Sequence, residues 1–325
     1  MRRRLALALC LLACSLFAPT APSAAASTPV RPHPPTSADV DRATERFLDS
    51  VGVGNDTRSS ETRGTGGAGQ LGDDSLFPER RIVAFYGAPQ MGATILGRRS
   101  IGAAMRQLRK QARPYDDATG RPAIPGINLV STIATADRGR DGKYRSRQSN
   151  DVIDEYLAAA RKLDGRLILD IQPGRSKFMQ EVRAFREWIA EPDVDVALDP
   201  EWNVGRRGMP GRTTGSVTAE NLNRVSAYLS DVVEEEGLPP KALIIHQFRG
   251  GSVKKRQRVE QPEGVNVTLN FDGIGSRAAK KAGYARLRQD GLFNGFSLFY
   301  RLDSGLMSPS QVLGLEPSPD YVLYQ

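Results

Sequence analysis

From Arg81 onward, two kinds of hydrophobic pattern alternate along the chain: short apolar runs, and longer runs with apolar positions at three- and four-residue spacing. Short runs rich in β-branched and aromatic residues predict strands, and the longer runs between them predict amphipathic helices. Some strand runs, including residues 167–169 and 243–245, are apolar on both faces, which is typical of parallel strands covered on both sides. The predicted strands are residues 81–86, 126–131, 166–171, 194–199, 242–247, 265–271, 295–300 and 320–324.

The helices predicted between these strands complete a repeating strand–helix pattern. They cover residues 150–163, 177–190, 218–236 and 276–289, and one more begins at Ser308, which is followed by proline and, at the third helical position, glutamine. Eight units in about 245 residues match the usual size of a (β/α)8 barrel, ~250 residues. We therefore predict an α/β protein in which residues 81–325 form a (β/α)8 TIM barrel, with an open doubly wound sheet as the alternative. No helix pattern follows the eighth strand, and the amphipathic run at residues 38–51 is a candidate to cover that position.

The N-terminal segment predicts export. Three arginines follow Met1, residues 5–18 are apolar but too short to span a membrane, and residues 24–26 are alanines suited to cleavage. Residues 1–26 are therefore a predicted signal peptide. Residues 11–14 also resemble a bacterial lipobox, so a lipid anchor at Cys14 is the alternative. Residues 27–80 are rich in proline, glycine, serine and threonine, which predicts a disordered linker with room for one short helix.

Cysteine content and charge narrow the function classes. Cys10 and Cys14 are the two cysteines, so cleavage after Ala26 leaves no thiol for catalysis, disulfides or metal binding. The net charge of +8 includes three arginines from residues 1–26, which hold no acid, so about +5 remains. This excess indicates affinity for anionic surfaces, but no aromatic-interleaved basic motif points to nucleic acid as a partner. We also expect no membrane span.

The motifs of several chemistries are missing. His33 and His246 are the two histidines, which leaves no HExxH motif and no multi-histidine zinc site. GxSxG and GxxxxGK[ST] do not occur, and the GxGxxG spacing at residues 64–69 has neither a strand before it nor a helix after it. We therefore expect no cofactor and no bound metal. A Ca²⁺ or Mg²⁺ site among the acids, in a metal-dependent phosphodiesterase, is the minor alternative.

Acids and aromatic residues recur at the C-terminal ends of the predicted strands, where barrel active sites lie. Side chains two apart on a strand share a face. Three pairs of candidate residues therefore point the same way: Asp199 with Glu201, Asp170 with Gln172, and Asn270 with Asp272. Several carboxylates in one cleft raise one another's pKa, which keeps one protonated as a general acid, and aromatic faces suit sugar rings. The candidate site residues are Tyr86, Asp170, Gln172, Asp199, Glu201, Trp202, His246, Gln247, Asn270, Asp272 and Tyr300.

Two short segments resemble a known enzyme family. Residues 198–201 (LDPE) look like the end of the DxxDxDxE motif that closes strand four in family 18 glycoside hydrolases, the chitinase group. Residues 270–273 (NFDG) are similar to the strand-six pattern of that family, where an aromatic–Asp pair supports the acetamido group of the substrate. The resemblance implies that Glu201 is the general acid, that Asp199 orients the group attacking the anomeric carbon, and that Asp272 assists it.

The sequence departs from the family motif at two positions. Ala197 occupies the place of the middle aspartate, and Pro200 replaces a usual aromatic residue, so a generic retaining or inverting carboxylate pair is the alternative chemistry. We expect an exported glycoside hydrolase-like barrel, secreted or associated with the cell envelope, that acts on a carbohydrate or cell-wall polymer. A non-catalytic barrel that binds envelope polysaccharide is the alternative, and the altered motif and the basic loop at residues 254–258 agree with it.

Overall fold

The computed structural model describes residues 76–116 and 120–325. The predicted signal peptide, Cys14 and the helix at residues 38–51 lie outside these described residues. The strands are β1 (Arg81–Gly87), β2 (Ala123–Ala134), β3 (Arg145–Arg147), β4 (Arg166–Ile171), β5 (Val194–Leu198), β6 (Val217–Thr218), β7 (Lys241–Gln247), β8 (Val253–Lys254), β9 (Val265–Phe271), β10 (Phe293–Leu298) and β11 (Tyr321–Tyr324). The helices are α1 (Ile95–Arg98), α2 (Ile101–Ala112), α3 (Asn150–Arg161), α4 (Phe178–Arg183), α5 (Arg186–Ile189), α6 (Ala219–Glu236), α7 (Arg277–Leu287) and α8 (Pro309–Leu313).

Eight of the strands in the described ranges form a closed parallel barrel. Their order around the ring is β1, β2, β4, β5, β7, β9, β10 and β11, and β1 hydrogen-bonds to both β2 and β11. The predicted barrel is therefore confirmed, and the open-sheet alternative is wrong. Outside the ring, β3 pairs antiparallel with the end of β2, and β6 pairs with β8.

Helices cover the outside of the barrel and differ in part from those predicted. The helix predicted at residues 177–190 is divided into α4 and α5, and neither α1 nor α2 was predicted. The described connection from β7 to β9, residues 248–264, contains no α-helix, and α6 packs against both of these strands. The capping box predicted at Ser308 is present: its hydroxyl accepts from the Gln311 N–H, and the Gln311 side chain accepts from the Ser308 N–H. No helix in the described ranges is long and apolar enough to cross a membrane.

Strand register determines which side chains fill the barrel. Alternate residues of a strand point inward, and residues in register on parallel neighbours point the same way. Gly126 is one inward position, because a Cβ there would lie 2.7 Å from Ile82 and 3.0 Å from Ile168. Gly295 is another, because a Cβ there would lie 2.5 Å from Oδ1 of Asn270. The glycine at 295 thus leaves the space that the Asn270 side chain occupies.

The N-terminal end of the barrel is closed by a buried ion pair. Arg166 lies in register with Gly126 and donates two hydrogen bonds to Asp195 of the neighbouring strand, at 2.5 and 2.8 Å. Asp195 also accepts from the Ala242 N–H at 2.7 Å. The barrel interior is therefore filled below the C-terminal end, where the candidate residues lie.

Candidate active site

Two aspartates and a histidine meet inside the upper barrel, at the C-terminal ends of β4, β7 and β9. His246 lies between them: its Nδ1 is 2.6 Å from Oδ2 of Asp272, and its Nε2 is 3.1 Å from Oδ2 of Asp170. The first contact is a hydrogen bond, whereas the second is an ion-pair contact in which the ring N–H is not aligned for one. All three residues are buried. The structure thus joins three of the predicted site residues directly.

A small residue on the intervening strand permits this contact. β5 lies between β4 and β7 in the ring, and its Ala197 is in register with Asp170 on one side and with Ile244 on the other. Only a methyl group therefore projects inward at this level between Asp170 and His246. The alanine that departs from the family 18 motif thus lies beside an aspartate–histidine contact between strands that are not neighbours.

Asn270 and Ser297 hold Asp272 in place. The Asn270 side-chain amide donates to Oδ1 of Asp272 at 2.6 Å and lies 2.8 Å from the Ser297 hydroxyl. The Ser297 hydroxyl donates to the same Asp272 oxygen. Since Oδ2 is bonded to His246, both carboxylate oxygens of Asp272 have partners.

Asn128 and Tyr321 hold Asp170 from the opposite side. The Asn128 amide donates to Oδ2 of Asp170 at 2.6 Å, and the Tyr321 hydroxyl donates to Oδ1 of Asn128 at 3.0 Å. Burial raises the pKa of Tyr321 well above its ordinary value, and Asp170 and Asp272 raise it further. Tyr321 is therefore a neutral donor, and the hydrogen bonds run from β11 through β2 to β4.

The network holds His246 in its charged form. Burial alone lowers the pKa of His246, but Asp272 and Asp170 raise it by more, so that it lies well above its ordinary value. An imidazolium between two carboxylates leaves these three side chains with one net negative charge. The upper barrel therefore offers negative charge in a site of low solvent exposure.

The predicted acid pair lies beside this network. Asp199 directly follows β5 and is 7% exposed, and Glu201 lies two residues later in the turn Pro200–Trp202, where it is partly exposed. Burial raises the pKa of Asp199 well above its ordinary value, Glu201 raises it further, and His246 opposes the shift. Asp199 therefore holds a proton at a pH where an exposed aspartate is ionised.

Backbone hydrogen bonds fix the turn that carries Glu201. The Trp202 N–H donates to the carbonyl of Asp199 at 3.2 Å, and the Gly215 N–H donates to the carbonyl of Glu201 at 2.6 Å. A Cβ at Gly215 would collide with the backbone of Asn203, so this close approach requires glycine. Trp202, another predicted site residue, is buried in the same turn.

Tyr86 and Gln172 extend the site toward β1. The Gln172 amide donates to the Tyr86 hydroxyl at 3.0 Å, and its oxygen accepts from the Ala134 N–H at 3.1 Å. The Tyr86 ring meets His246 edge-on, with 6.5 Å between ring centroids. These two predicted residues therefore belong to the same assembly as the Asp–His–Asp network.

Two predicted residues point elsewhere. Gln247 lies on the opposite face of β7 from His246, and its amide donates to the carbonyl of Leu287 in α7 at 3.4 Å. The Tyr300 hydroxyl donates to the Gln111 side chain of α2 at 3.0 Å, and its ring stacks on Tyr324. The structure therefore places Gln247 and Tyr300 in the helix layer rather than with the other candidates.

Sequence reasoning missed three residues of the network: Asn128, Ser297 and Tyr321. Each lies within a predicted strand at an inward position, and a polar residue at such a position was the available signal. Inward polarity in an otherwise apolar strand needs a partner, because a buried polar group without one costs roughly 1–3 kcal/mol. The partner in each case lies on another strand, so it could not be named before the ring order was known.

Three buried polar atoms of the network have no hydrogen-bond partner among the described residues. They are Oδ1 of Asp170, Nε2 of His246 and Oδ1 of Asn270. Most buried polar atoms in proteins are partnered. The two oxygens therefore keep acceptor capacity that the described residues do not use, while Nε2 of His246 keeps its 3.1 Å ion-pair contact with Asp170.

No model of a known protein family matches this chain, and no curated protein matches it. The similarity to family 18 glycoside hydrolases is thus confined to residues 198–201 and 270–273. Within the described ranges, no group of three or more His, Cys, Asp or Glu side chains is placed to hold a metal ion. Fold and site together define a parallel α/β barrel with a buried Asp–His–Asp network and a carboxyl pair at its C-terminal end.

Proposed function

We propose that this protein is an exported glycoside hydrolase that cleaves a glycan of the cell envelope or its surroundings. The observation that carries the proposal is the buried Asp199 followed two residues later by the partly exposed Glu201 at the C-terminal end of the barrel, where burial and Glu201 raise the pKa of Asp199. A general acid must hold a proton at the working pH, and a buried carboxyl among other carboxyls does so. Tyr86, whose ring meets His246 edge-on, adds an aromatic side chain to the same site.

In this mechanism the two carboxyls share one proton. Glu201, the more exposed of the pair, donates it to the oxygen that links two sugars as the bond from that oxygen to the anomeric carbon breaks. Water then adds to the anomeric carbon, and a proton of that water returns to the Asp199–Glu201 pair. The positive charge that develops on the sugar ring is stabilised by the net negative charge of Asp170, His246 and Asp272.

A non-catalytic glycan-binding barrel is the second candidate, and one observation favours it. Both oxygens of Asp272 are hydrogen-bonded, and Asp170 contacts His246 and Asn128. Asp272 is therefore not free to serve as a nucleophile or as a base without breaking the network, whereas Asp170 keeps one oxygen, Oδ1, without a hydrogen-bond partner among the described residues. In a binding protein the same network would shape the cleft and bond sugar hydroxyls.

Turnover by matched variants tests the proposal. The full-length folded protein is incubated with a panel of soluble cell-wall glycans, and new reducing ends are counted for wild type, Glu201→Gln and Asp199→Asn. Glutamine preserves the shape of Glu201 but carries no acidic proton, so kcat should fall by about 10²–10⁴-fold. The control is Glu263→Gln, an exposed glutamate just before β9 at the other end of the barrel, which should leave kcat unchanged.

Two results decide between the candidates. Hydrolysis by wild type that survives Glu201→Gln would remove Glu201 from the chemistry and overturn the mechanism. Glycan binding without hydrolysis of any member of the panel would establish the binding protein instead. Binding by Glu201→Gln at wild-type affinity, with turnover lost, is the result that we expect.

A further inference from the structure

Three arginines cluster at the C-terminal end of the barrel on the side of β1 and β10. Arg98 and Arg99 follow the β1 loop at the end of α1, and Arg301 lies in the loop after β10. All three are exposed. Arg98 and Arg99 are adjacent in the chain, and β1 and β10 are both ring neighbours of β11, so the three arginines lie on one side of the barrel mouth. In agreement with this placement, burial lowers the pKa of Arg98, and the charges of Arg301 and Arg99 lower it further. We call these residues the first arginine cluster.

Three more arginines occupy the loop that follows β5. Arg206, Arg207 and Arg212 are exposed there, in the same loop that begins with Asp199 and Glu201. The loop is anchored to the barrel, because the Val204 N–H donates to the carbonyl of Gly174 at 3.0 Å. The arginines of this second arginine cluster are therefore presented on a fixed loop beside the acid pair.

The two clusters differ from the arginines on the body of the protein. Arg145, Arg161 and Arg186 form ion pairs with carboxylates at 2.7 to 2.9 Å. Among the described residues, no member of either cluster forms an ion pair with a carboxylate. Like charges that lie close together without counter-charges destabilise the folded protein, and an anionic ligand relieves this cost.

Ring order places the clusters on opposite sides of the barrel mouth. β1 and β10 are the two ring neighbours of β11, and β5 is four strands from β11 in either direction around the eight-stranded ring. A chain molecule that reaches from one cluster to the other therefore crosses the mouth, where Asp199 and the Asp–His–Asp network lie. The negative residues occupy the centre of this path, and the positive residues occupy its two ends.

We propose that the glycan bound by this site is anionic, with phosphate or carboxylate groups along its chain. This inference rests on the part of the proposed function in which the site binds a glycan, and it does not require that the protein cleaves that glycan. A planar guanidinium binds both anions through paired hydrogen bonds, so the clusters recognise their shared chemistry. Charged groups on the flanking sugars are bound at the two ends, and the sugar between them lies neutral or weakly charged over the acids.

Binding measured without turnover tests this inference. Calorimetric titration of Glu201→Gln is carried out with an oligogalacturonate, a phosphodiester-linked sugar polymer and a neutral oligosaccharide of matched length. We expect at least one of the anionic ligands to bind roughly 10-fold or more tightly than the neutral one, with an affinity that falls as salt is added. The two anionic arms show whether the carboxylate or the phosphate is preferred.

Paired substitutions locate the contacts. Arg99→Gln with Arg301→Gln, and separately Arg206→Gln with Arg207→Gln, should each weaken anionic binding by about 10-fold. The control pair is Lys110→Gln with Arg113→Gln, exposed cations at the far end of α2 that make the same change in net charge. Control and cluster variants are compared in the Glu201→Gln background, so the result does not depend on hydrolysis.

Three outcomes would overturn the inference. They are equal affinity for the neutral and anionic glycans, cluster variants that bind like the control pair, and a single-stranded oligonucleotide that binds as tightly as the anionic glycans. The last result would show a general affinity for polyanions. Loss of hydrolysis alone contradicts the proposed mechanism and leaves the charge selectivity standing, so the two failures are distinguishable.

Discussion

Replacing His246 with glutamine tests the buried Asp–His–Asp network directly. The substitution leaves a polar side chain of similar reach but removes the positive charge between Asp170 and Asp272. Removing one partner of a buried ion pair costs about 3–5 kcal/mol, because the remaining charge is buried without compensation. At pH 7 we therefore expect His246→Gln to lower the free energy of unfolding by about that amount.

The loss of unfolding free energy caused by His246→Gln should depend on pH. The sign of this dependence follows from the aspartate left unpaired in the variant and from the histidine of the wild type. In the variant, Asp170 and Asp272 are buried without the positive charge between them, which favours the neutral form of one of the two. That aspartate then takes up a proton on folding, which favours folding at low pH by about 1.4 kcal/mol per pH unit. Between pH 7 and pH 5 one such proton is worth about 2.7 kcal/mol. In the wild type the raised pKa of His246 stabilises the fold fully below about pH 6.5, and this stability is lost as pH rises through the folded pKa.

These two effects act in opposite directions on the cost of the substitution. Loss of wild-type stability between about pH 6.5 and pH 7 amounts to less than about 1 kcal/mol. The carboxyl contribution is larger, so the substitution should cost about 2 kcal/mol more at pH 7 than at pH 5. Urea unfolding of both proteins at pH 5, 6 and 7 measures the difference, and the double variant His246→Gln/Asp170→Asn should recover part of the loss at pH 7. A cost below about 1 kcal/mol at pH 7, or one that is equal at pH 5 and pH 7, would refute the charged network.

Two further substitutions test packing and helix capping by thermal unfolding. Gly295→Ala brings a Cβ within 2.5 Å of Asn270 and should cost about 1–3 kcal/mol, whereas Gly251→Ala, with no atom within 4 Å, should stay within about 0.5 kcal/mol of wild type. Ser308→Ala removes the capping box of α8 and should cost about 0.5–2 kcal/mol, with exposed Ser304→Ala as the neutral control. Equal stability of the two glycine variants, or of the two serine variants, would contradict the corresponding contact.

The barrel could be predicted from the sequence because the residues of each strand show whether its two faces are buried. Runs such as residues 243–245 are apolar at consecutive positions, which requires cover on both faces. The ends of the helices were harder to predict. The periodic run at residues 177–190 continues through Ala184 and Phe185, where the structure separates α4 from α5. Tertiary packing decides that break, and residue periodicity does not record it.

The candidate site was predicted in part, for a similar reason. Strand alternation correctly paired Asn270 with Asp272 on one face, and the two side chains are hydrogen-bonded. Alternation alone does not say which of two adjacent residues faces inward, so His246 and Gln247 were both proposed although they lie on opposite faces. Tyr300 follows its strand, where alternation no longer applies, and its ring packs against the helix layer instead.

The hydrogen bond between Tyr321 and Asn128 joins residues 193 positions apart in the chain. Such contacts form only after a long loop has closed, so they appear late when a chain folds. An intermediate with an unclosed ring contains every acid of the site but has not assembled them, since Asp170 still lacks the support that the last strand provides through Asn128. Any chemistry performed by these residues therefore requires a completely folded barrel, because the site is assembled only when the final strand has joined the ring.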